Sequence, residues 1–273
     1  MMISAQSAVN RTGDGRRRLD GTTAIVTGAS RGFGRAIAAA LCNAGAHVVG
    51  VARSARDLRA LRAELGPSFT GLAADAAEPS TATHLIDEFR PRTIVLCAGA
   101  APLMAPLTQQ TWDSFSQNWN VDVAQGFHWI RHALLSPLEP GSRVIAVSSG
   151  AALKGSPLSC GYAGAKATVR FLTDYAAHEA EQRRSGIEFV SILPGLTPST
   201  ALGTAAVSAY AAQQGVTVEM FAESLAPILT AEQAATSIRD LAMTPVLNQR
   251  AYLLSASGLA ELSGADALSQ RSA

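Results

Sequence analysis

Short runs of apolar, often β-branched residues alternate along this chain with longer stretches in which Ala, Leu and Ile recur every three or four positions among Arg, Asp and Glu. The runs are TTAIVT (22–27), AHVVGVA (46–52), FTGLAA (69–74), TIVLCA (93–98), RVIAVSS (143–149), EFVSIL (188–193) and AYLLS (251–255). Each is strand-length, and the segments between them at 32–44, 56–65, 80–89, 111–135, 162–183 and 231–243 carry a helical period. Regular alternation of this kind predicts repeated βαβ units and hence a parallel sheet. Because the strands are apolar throughout rather than at every second position, the sheet should be covered by helices on both faces. About seven strands in one doubly wound α/β domain is the expectation.

The rhythm breaks once. Between Pro194 and Pro227 a Pro/Gly/Ser/Thr-rich start leads into an Ala-rich middle with no strand. Residues 196–230 are expected to form an insertion over the substrate side of the sheet, since long connections inside compact domains are commonly functional. Thr230 and Gln233 form a capping box that restarts the regular fold. There is no internal repeat, and residues 1–20 are expected to be a flexible tail ahead of a domain spanning 21–273.

Composition narrows the function classes. The 273 residues are 48% hydrophobic and carry a formal net charge of +1, so nothing draws the chain to nucleic acid or to anionic lipid. The N-terminal stretch lacks an apolar signal region and no later stretch is long enough to span a membrane, so a cytoplasmic protein is expected, with Arg16–Arg18 as a solvated part of the tail. Cys42, Cys97 and Cys160 lie far apart without metal-ligand or disulfide spacing. His128 and His132 stand one helical turn apart, but Trp129 follows the first and no third ligand is apparent, so a packed helix face is expected and no metal.

The chemistry begins at AIVTGASRGFGRAIAAAL (24–41). Gly28, Gly32 and Gly34 lie between a strand and a helix, where backbone N–H groups and the helix dipole can hold a pyrophosphate. At the end of the second strand, where an acid would accept hydrogen bonds from a ribose, this chain has Ala52 followed by Arg53, and Arg31 sits inside the glycine turn. Two cations there suit a 2′-phosphate, which favours NADP(H) over NAD(H); the alternative is two solvated surface arginines. Asp75, at the end of the third strand, can cap an adenine amino group or start a turn.

Further along, Tyr162 and Lys166 are one helical turn apart, and Ser149 ends the preceding strand. An ammonium beside a phenol favours the phenolate, which a general acid/base needs, and a serine hydroxyl can bond the substrate oxygen whose charge changes. Taken in order, TGASRGFG (27–34), Asp75, CAG (97–99), VSSG (147–150), YAGAK (162–166) and LPG (193–195) resemble the classical short-chain dehydrogenase/reductases, over roughly residues 20–258. The resemblance implies a Rossmann-type fold and a nicotinamide cofactor held by Gly28, Ser30, Arg31, Gly32, Phe33, Gly34, Arg53, Asp75, Ala76, Ala98, Gly99, Tyr162, Lys166, Pro194, Gly195 and Thr197. It implies that Tyr162 exchanges the proton, Lys166 also grips the nicotinamide ribose, and Ser149 polarises the carbonyl. A homodimer or homotetramer built partly on the Tyr162 helix is implied as well.

Two departures from that pattern stand out. Members commonly have NNAG after the fourth strand where this chain has Leu96, Cys97, Ala98 and Gly99, and lost sheet hydrogen bonds are expected there. The family's catalytic asparagine corresponds to Asp122, with Asn120 two residues earlier. A carboxylate near Lys166 would offset part of that lysine's pull on Tyr162, so Asp122 either tunes the proton path or slows the enzyme. Cys160 is expected to look toward the substrate pocket. Because 101–107, 153–161 and 194–230 are apolar and nearly uncharged, they argue against an anionic substrate and for a fairly apolar ketone, aldehyde or alcohol. A non-catalytic NADP(H) redox sensor of the same fold is the alternative, although it has no need of an intact Ser149, Tyr162 and Lys166.

Overall fold

A computed structural model of the chain describes residues 19–136 and 138–262. Residues 1–18, with the arginine run, and 263–273 lie outside this range. Leu19 is already packed into the core at 3% exposure.

The elements follow in the order β1 (Thr23–Thr27), α1 (Gly32–Asn43), β2 (His47–Ala52), α2 (Ala55–Leu65), β3 (Phe69–Ala73), α3 (Pro79–Phe89) and β4 (Thr93–Leu96). Next come α4 (Trp112–Asn118), a π-helical turn over Trp119–Val123, α5 (Ala124–Leu135), β5 (Arg143–Val147), α6 (Ala151–Lys154) and α7 (Cys160–Gln182). The chain continues with β6 (Glu188–Pro194), α8 (Ala201–Gln214), α9 (Val218–Ser224), α10 (Ala231–Met243), β7 (Ala251–Ser255) and β8 (Gly258–Glu261). The strands form one sheet in the order β3-β2-β1-β4-β5-β6-β7-β8. All neighbours are parallel except β7 and β8, which pair antiparallel.

This is the doubly wound sheet that the hydrophobic pattern predicts, with one strand more than expected. GLAE (258–261) returns as a hairpin on β7 through a tight turn in which Gly258 has φ 101°. Its residues are half-buried to exposed, so no apolar run announced it.

The sheet separates two cores. One face packs α1 and α10 through Ile37, Leu41, Ile238 and Leu241 against Val26, Val48 and Ile192. The other packs α3, α5 and α7 through Ile86, Trp129 and Ala177 against Ile25, Val49 and Val144. Capping of α10 by Thr230 and Gln233 is realised in both directions. The order of strands reverses between β1 and β4, and in open parallel sheets the crevice at that switch, beyond the strands' carboxyl ends, is where ligands bind.

The expected continuous helix over 111–135 is interrupted. Trp119–Val123 is wound one residue wider than an α-helix, and Asp122 lies on this turn. Single π-turns of this kind concentrate at functional sites because the extra residue redirects one side chain. The 196–230 insertion is helical, contributing α8 and α9, with a small core of its own made by Val207, Ala211 and Phe221.

Candidate active site

A cavity of about 920 Å³ opens along the carboxyl ends of the strands. Its floor starts at the β1–α1 turn. Gly28 has φ 69°, and a Cβ placed on it would stand 2.8 Å from the Ala98 Cα, so this turn and the end of β4 touch through bare backbone. A Cβ on Gly34 would lie 2.2 Å from the Gly28 carbonyl oxygen. Helix α1 begins without a side-chain cap, and its first-turn residues Gly32, Phe33 and Gly34 line the cavity. Uncapped N–H groups at the positive end of a twelve-residue helix, beside a turn with no Cβ to block approach, fit a pyrophosphate.

At the end of this cleft formed by the carboxyl ends of β2 and β3, Arg31, Arg53, Ser30, Asp75 and Ala76 also line the wall. Both arginines are exposed, and neither forms an ion pair with another described residue. Asp75 accepts a hydrogen bond from the Ala77 backbone N–H at 2.9 Å, so one of its oxygens starts a turn.

At the centre, Ser149, Tyr162, Lys166 and Asp122 all line the same cavity. Helix α7 brings Tyr162 and Lys166 here because Gly161 lets it approach α4 closely; a Cβ on Gly161 would fall 2.1 Å from the Phe115 carbonyl oxygen. The Lys166 Nζ lies 5.7 Å from the Tyr162 ring centroid, donates to the Val147 carbonyl oxygen at 3.1 Å and forms an ion pair with Asp122 Oδ1 at 2.9 Å. An ammonium has three N–H groups, so one remains beyond these two acceptors. Burial works against the charge on Lys166, but the Asp122 carboxylate and then Tyr162 outweigh it and hold the lysine above its ordinary pKa.

Asp122 is 1% exposed, and its other oxygen accepts from the Ala100 backbone N–H at 2.9 Å and from Asn118 Nδ2 at 3.2 Å. Asn120, the neighbouring candidate, is exposed. Asp122 therefore ties the lysine, the loop after β4 and α4 into one unit. The Ser148 hydroxyl adds a bond to the Lys166 carbonyl oxygen at 2.7 Å, pinning α7 to the end of β5. The Ser149 Oγ accepts from the Ala151 N–H at 3.2 Å, at the start of α6. Burial pushes the neighbouring Cys97 thiol up to about 11, against the pull of Lys166.

On the far side, Pro194, Gly195 and Thr197 lead from β6 into the insertion and line the cavity. The buried Thr197 donates to the Leu229 carbonyl oxygen, closing the base of the insertion. Met104, Leu153, Leu202, Tyr210 and Leu225 complete a largely apolar wall. Two expectations need correction here. Cys160 is not among the lining residues, because as the first residue of α7 it lies on the turn preceding Tyr162 and is half-buried elsewhere. The 153–161 stretch also brings a charge to the wall, since Lys154 lines the cavity.

His132 Nε2 pairs with Asp87 Oδ1 at 2.9 Å, and His128 packs edge-on to Phe127. Among the described residues no cluster of metal-ligating side chains occurs.

The family model for short chain dehydrogenase matches residues 22–211. The chain belongs to the short-chain dehydrogenase family. It is 31% identical over 186 residues to a sorbitol dehydrogenase of Cereibacter sphaeroides, covering 66% of this chain and 72% of that one. It is 30% identical over 164 residues to an L-xylulose reductase of Mesocricetus auratus, covering 59% and 66%. In fold it is similar to a 3-ketoacyl-(acyl-carrier-protein) reductase from Brucella melitensis complexed with NADH, with TM-score 0.69, 22% identity, and 83% of this chain and 92% of that chain covered.

As a short-chain dehydrogenase the chain also uses residues that its sequence did not single out. The asparagines missing after β4 are replaced by a network in which the Cys97 and Ala98 N–H groups donate to Thr27 Oγ1 at 2.9 and 3.2 Å. Thr27 donates in turn to Gln125 Oε1, and Gln125 Nε2 donates to the Ala98 carbonyl oxygen at 2.9 Å. The expected loss of hydrogen bonds is thus made good by two side chains 98 positions apart. Asn118 is the other such residue, fully buried and bonded to the Ala100 carbonyl oxygen at 2.8 Å. Its placement one helical turn before Asp122 would have been the only hint.

Proposed function

We propose that this short-chain dehydrogenase uses NADP(H) to interconvert a ketone or aldehyde and an alcohol on a fairly apolar small molecule. The observation that carries the reading is that Ser149, Tyr162 and Lys166 share one cavity with the glycine turn and with Arg31 and Arg53. The pyrophosphate would lie over Gly28–Gly34, with Asp75 and Ala76 beside the adenine. Ala98, Gly99, Pro194, Gly195 and Thr197 would flank the nicotinamide. Arg31 and Arg53 would meet the 2′-phosphate, and among the described residues they have no carboxylate partner to give up for it. When bound, the nicotinamide supplies or accepts the hydride.

Tyr162 is the group that gives a proton to the carbonyl oxygen in reduction and takes it back in oxidation. Ser149 donates a hydrogen bond to that oxygen as its charge grows. Lys166 stays cationic, faces Tyr162, and has a remaining N–H for the ribose. Asp122 acts through Lys166: it keeps the ammonium charged and fixed in place, and it compensates part of its field. Relatives named for sorbitol and L-xylulose support carbonyl–alcohol interconversion as the reaction class. A homodimer or homotetramer is proposed from the exposed stacked pair Phe171 and Tyr175 on α7 and from Phe127 and Leu135 on α5. No helix among the described residues is long and apolar enough to cross a membrane, which is compatible with the proposed cytoplasmic location.

The test is NADPH oxidation, followed by absorbance, over a panel of ketones, aldehydes and quinones, with NADH and Tyr162→Phe in parallel. Turnover that falls about 10²- to 10⁴-fold in the variant, with NADPH binding retained, is the expected result. Full activity in Tyr162→Phe would overturn the assignment of the proton.

A further inference from the structure

Every cation of this chain is an arginine except two lysines, Lys154 and Lys166, and both line the same cavity. Lys166 has a buried carboxylate beside it. Lys154 has no ion-pair partner among the described residues, and it is the last residue of α6, five positions after Ser149. The other charged residues lining the cavity lie at the adenosine end (Arg31, Arg53, Asp75) or in the Lys166–Asp122 pair. The substrate half therefore carries one uncompensated positive charge.

That charge does not stand alone. Ser159, 3% exposed, shares a hydrogen bond with Ser156 at 2.6 Å, and Ser156 shares another with the Tyr210 hydroxyl on α8. All three residues line the cavity, and Ser156 is two residues from Lys154. Three hydroxyls joined by two hydrogen bonds use two of their three protons, so the chain has one O–H donor to spare. An ammonium and a spare hydroxyl donor, facing apolar walls from Leu153, Leu202 and Leu225, are complementary to an oxyanion on an apolar body.

We propose that Lys154, with Ser156, Ser159 and Tyr210, forms an anion subsite. The substrate is then an apolar carbonyl or hydroxy compound carrying one carboxylate or phosphate, whose reacting carbon lies at Ser149 and Tyr162 and whose anion reaches α6. This rests on the reaction proposed above for the same cavity. It also replaces the expectation that the substrate is not anionic, which the apolar composition of 101–107, 153–161 and 194–230 had suggested.

The test does not need turnover. Octanoate, octyl phosphate and octanamide are titrated calorimetrically into the enzyme–NADPH complex, in which the adenosine-end arginines are occupied. One of the two anions should bind about tenfold more tightly than octanamide, and the better one identifies the group as carboxylate or phosphate. In Lys154→Gln the ratio should fall to about one, in Lys154→Arg part of it should return, and in Tyr210→Phe it should drop about threefold. Melting temperatures report whether each variant is folded. No anion preference in the wild type, or an unchanged preference in Lys154→Gln, overturns the subsite. Failure of the reaction itself is distinguishable: the anion preference would persist in a protein that oxidises no NADPH.

Discussion

At the cofactor end of the cavity the surface is made by backbone. Gly28 and Gly34 lie so close that a single methyl group on Gly34 would stand 2.2 Å from the Gly28 carbonyl oxygen, and one on Gly28 would stand 2.8 Å from the Ala98 Cα beyond β4. At the opposite end the wall is made by side chains on the 196–230 insertion. Helices α8 and α9 have a small core of their own, and Tyr210–Ser156 and Thr197–Leu229 tie them to the rest. Under the proposed function the two ends have different ligands to recognise. Pyrophosphate presents the same oxygens in every nicotinamide dinucleotide, and N–H groups at a helix start bind it without any particular side chain. A substrate is distinguished by shape and charge, which side chains on a separable lid can vary while the sheet stays as it is.

The region between these ends gives the largest expected effect. Replacing Asp122 by Asn leaves Lys166 charged and buried without its carboxylate, a change expected to cost about 3 kcal/mol at neutral pH. The sign of its pH dependence follows from Lys166 having a raised pKa in the folded state. The pair's contribution is complete below the lysine's unfolded value of about 10.4 and fades only as pH rises through the folded value. The stability difference between wild type and Asp122→Asn, measured by denaturant unfolding, should therefore be constant around neutrality and shrink in strong alkali. The pH–rate profile of the variant should also move to lower pH, and an unmoved profile would show that Asp122 has no influence on the proton path.

Gly34→Ala attacks the backbone-built end. With no flexible side chain to yield, overpacking of about 1–3 kcal/mol is expected, together with loss of NADPH binding, read by thermal melting and by cofactor fluorescence. Arg53→Ala is expected to weaken NADPH binding about tenfold and to leave NADH binding within about twofold, because only the 2′-phosphate contact is lost. Equal losses for both cofactors would remove the basis for NADP(H). The smallest effect belongs to the lid. Val207→Ala empties part of its separate core at a local cost of about 1 kcal/mol. The substrate KM should rise several-fold while the global melting temperature moves by about 2 °C or less. A full-sized drop in melting temperature would mean that the lid and the sheet are one cooperative unit, erasing the contrast between the two ends.

Much of this was legible in one dimension. The strand and helix rhythm, the glycine turn and the Tyr162–Lys166 turn of helix are local patterns whose periods are set by backbone geometry, so no distant residue is needed to read them. What escaped was non-local or irregular. Strand β8 has no apolar run, and the π-turn at 119–123 is a one-residue departure that the helical period does not encode. Gln125, on α5, takes over bonds of the asparagines missing after β4, and Lys154 was hidden in a stretch whose average composition is apolar.

The sequence by itself determined that this chain would fold as a doubly wound sheet with a phosphate-binding turn, because those features follow from hydrophobic periodicity and from glycines where no Cβ can be tolerated. Only the tertiary structure decided that Asp122 would pair with Lys166, 44 residues away, at 2.9 Å, and that the exposed Lys154 would line the cavity without an ion-pair partner among the described residues. Charges act through distance in space and through burial, and neither is fixed until helices α4 to α7 and the lid have packed around the sheet.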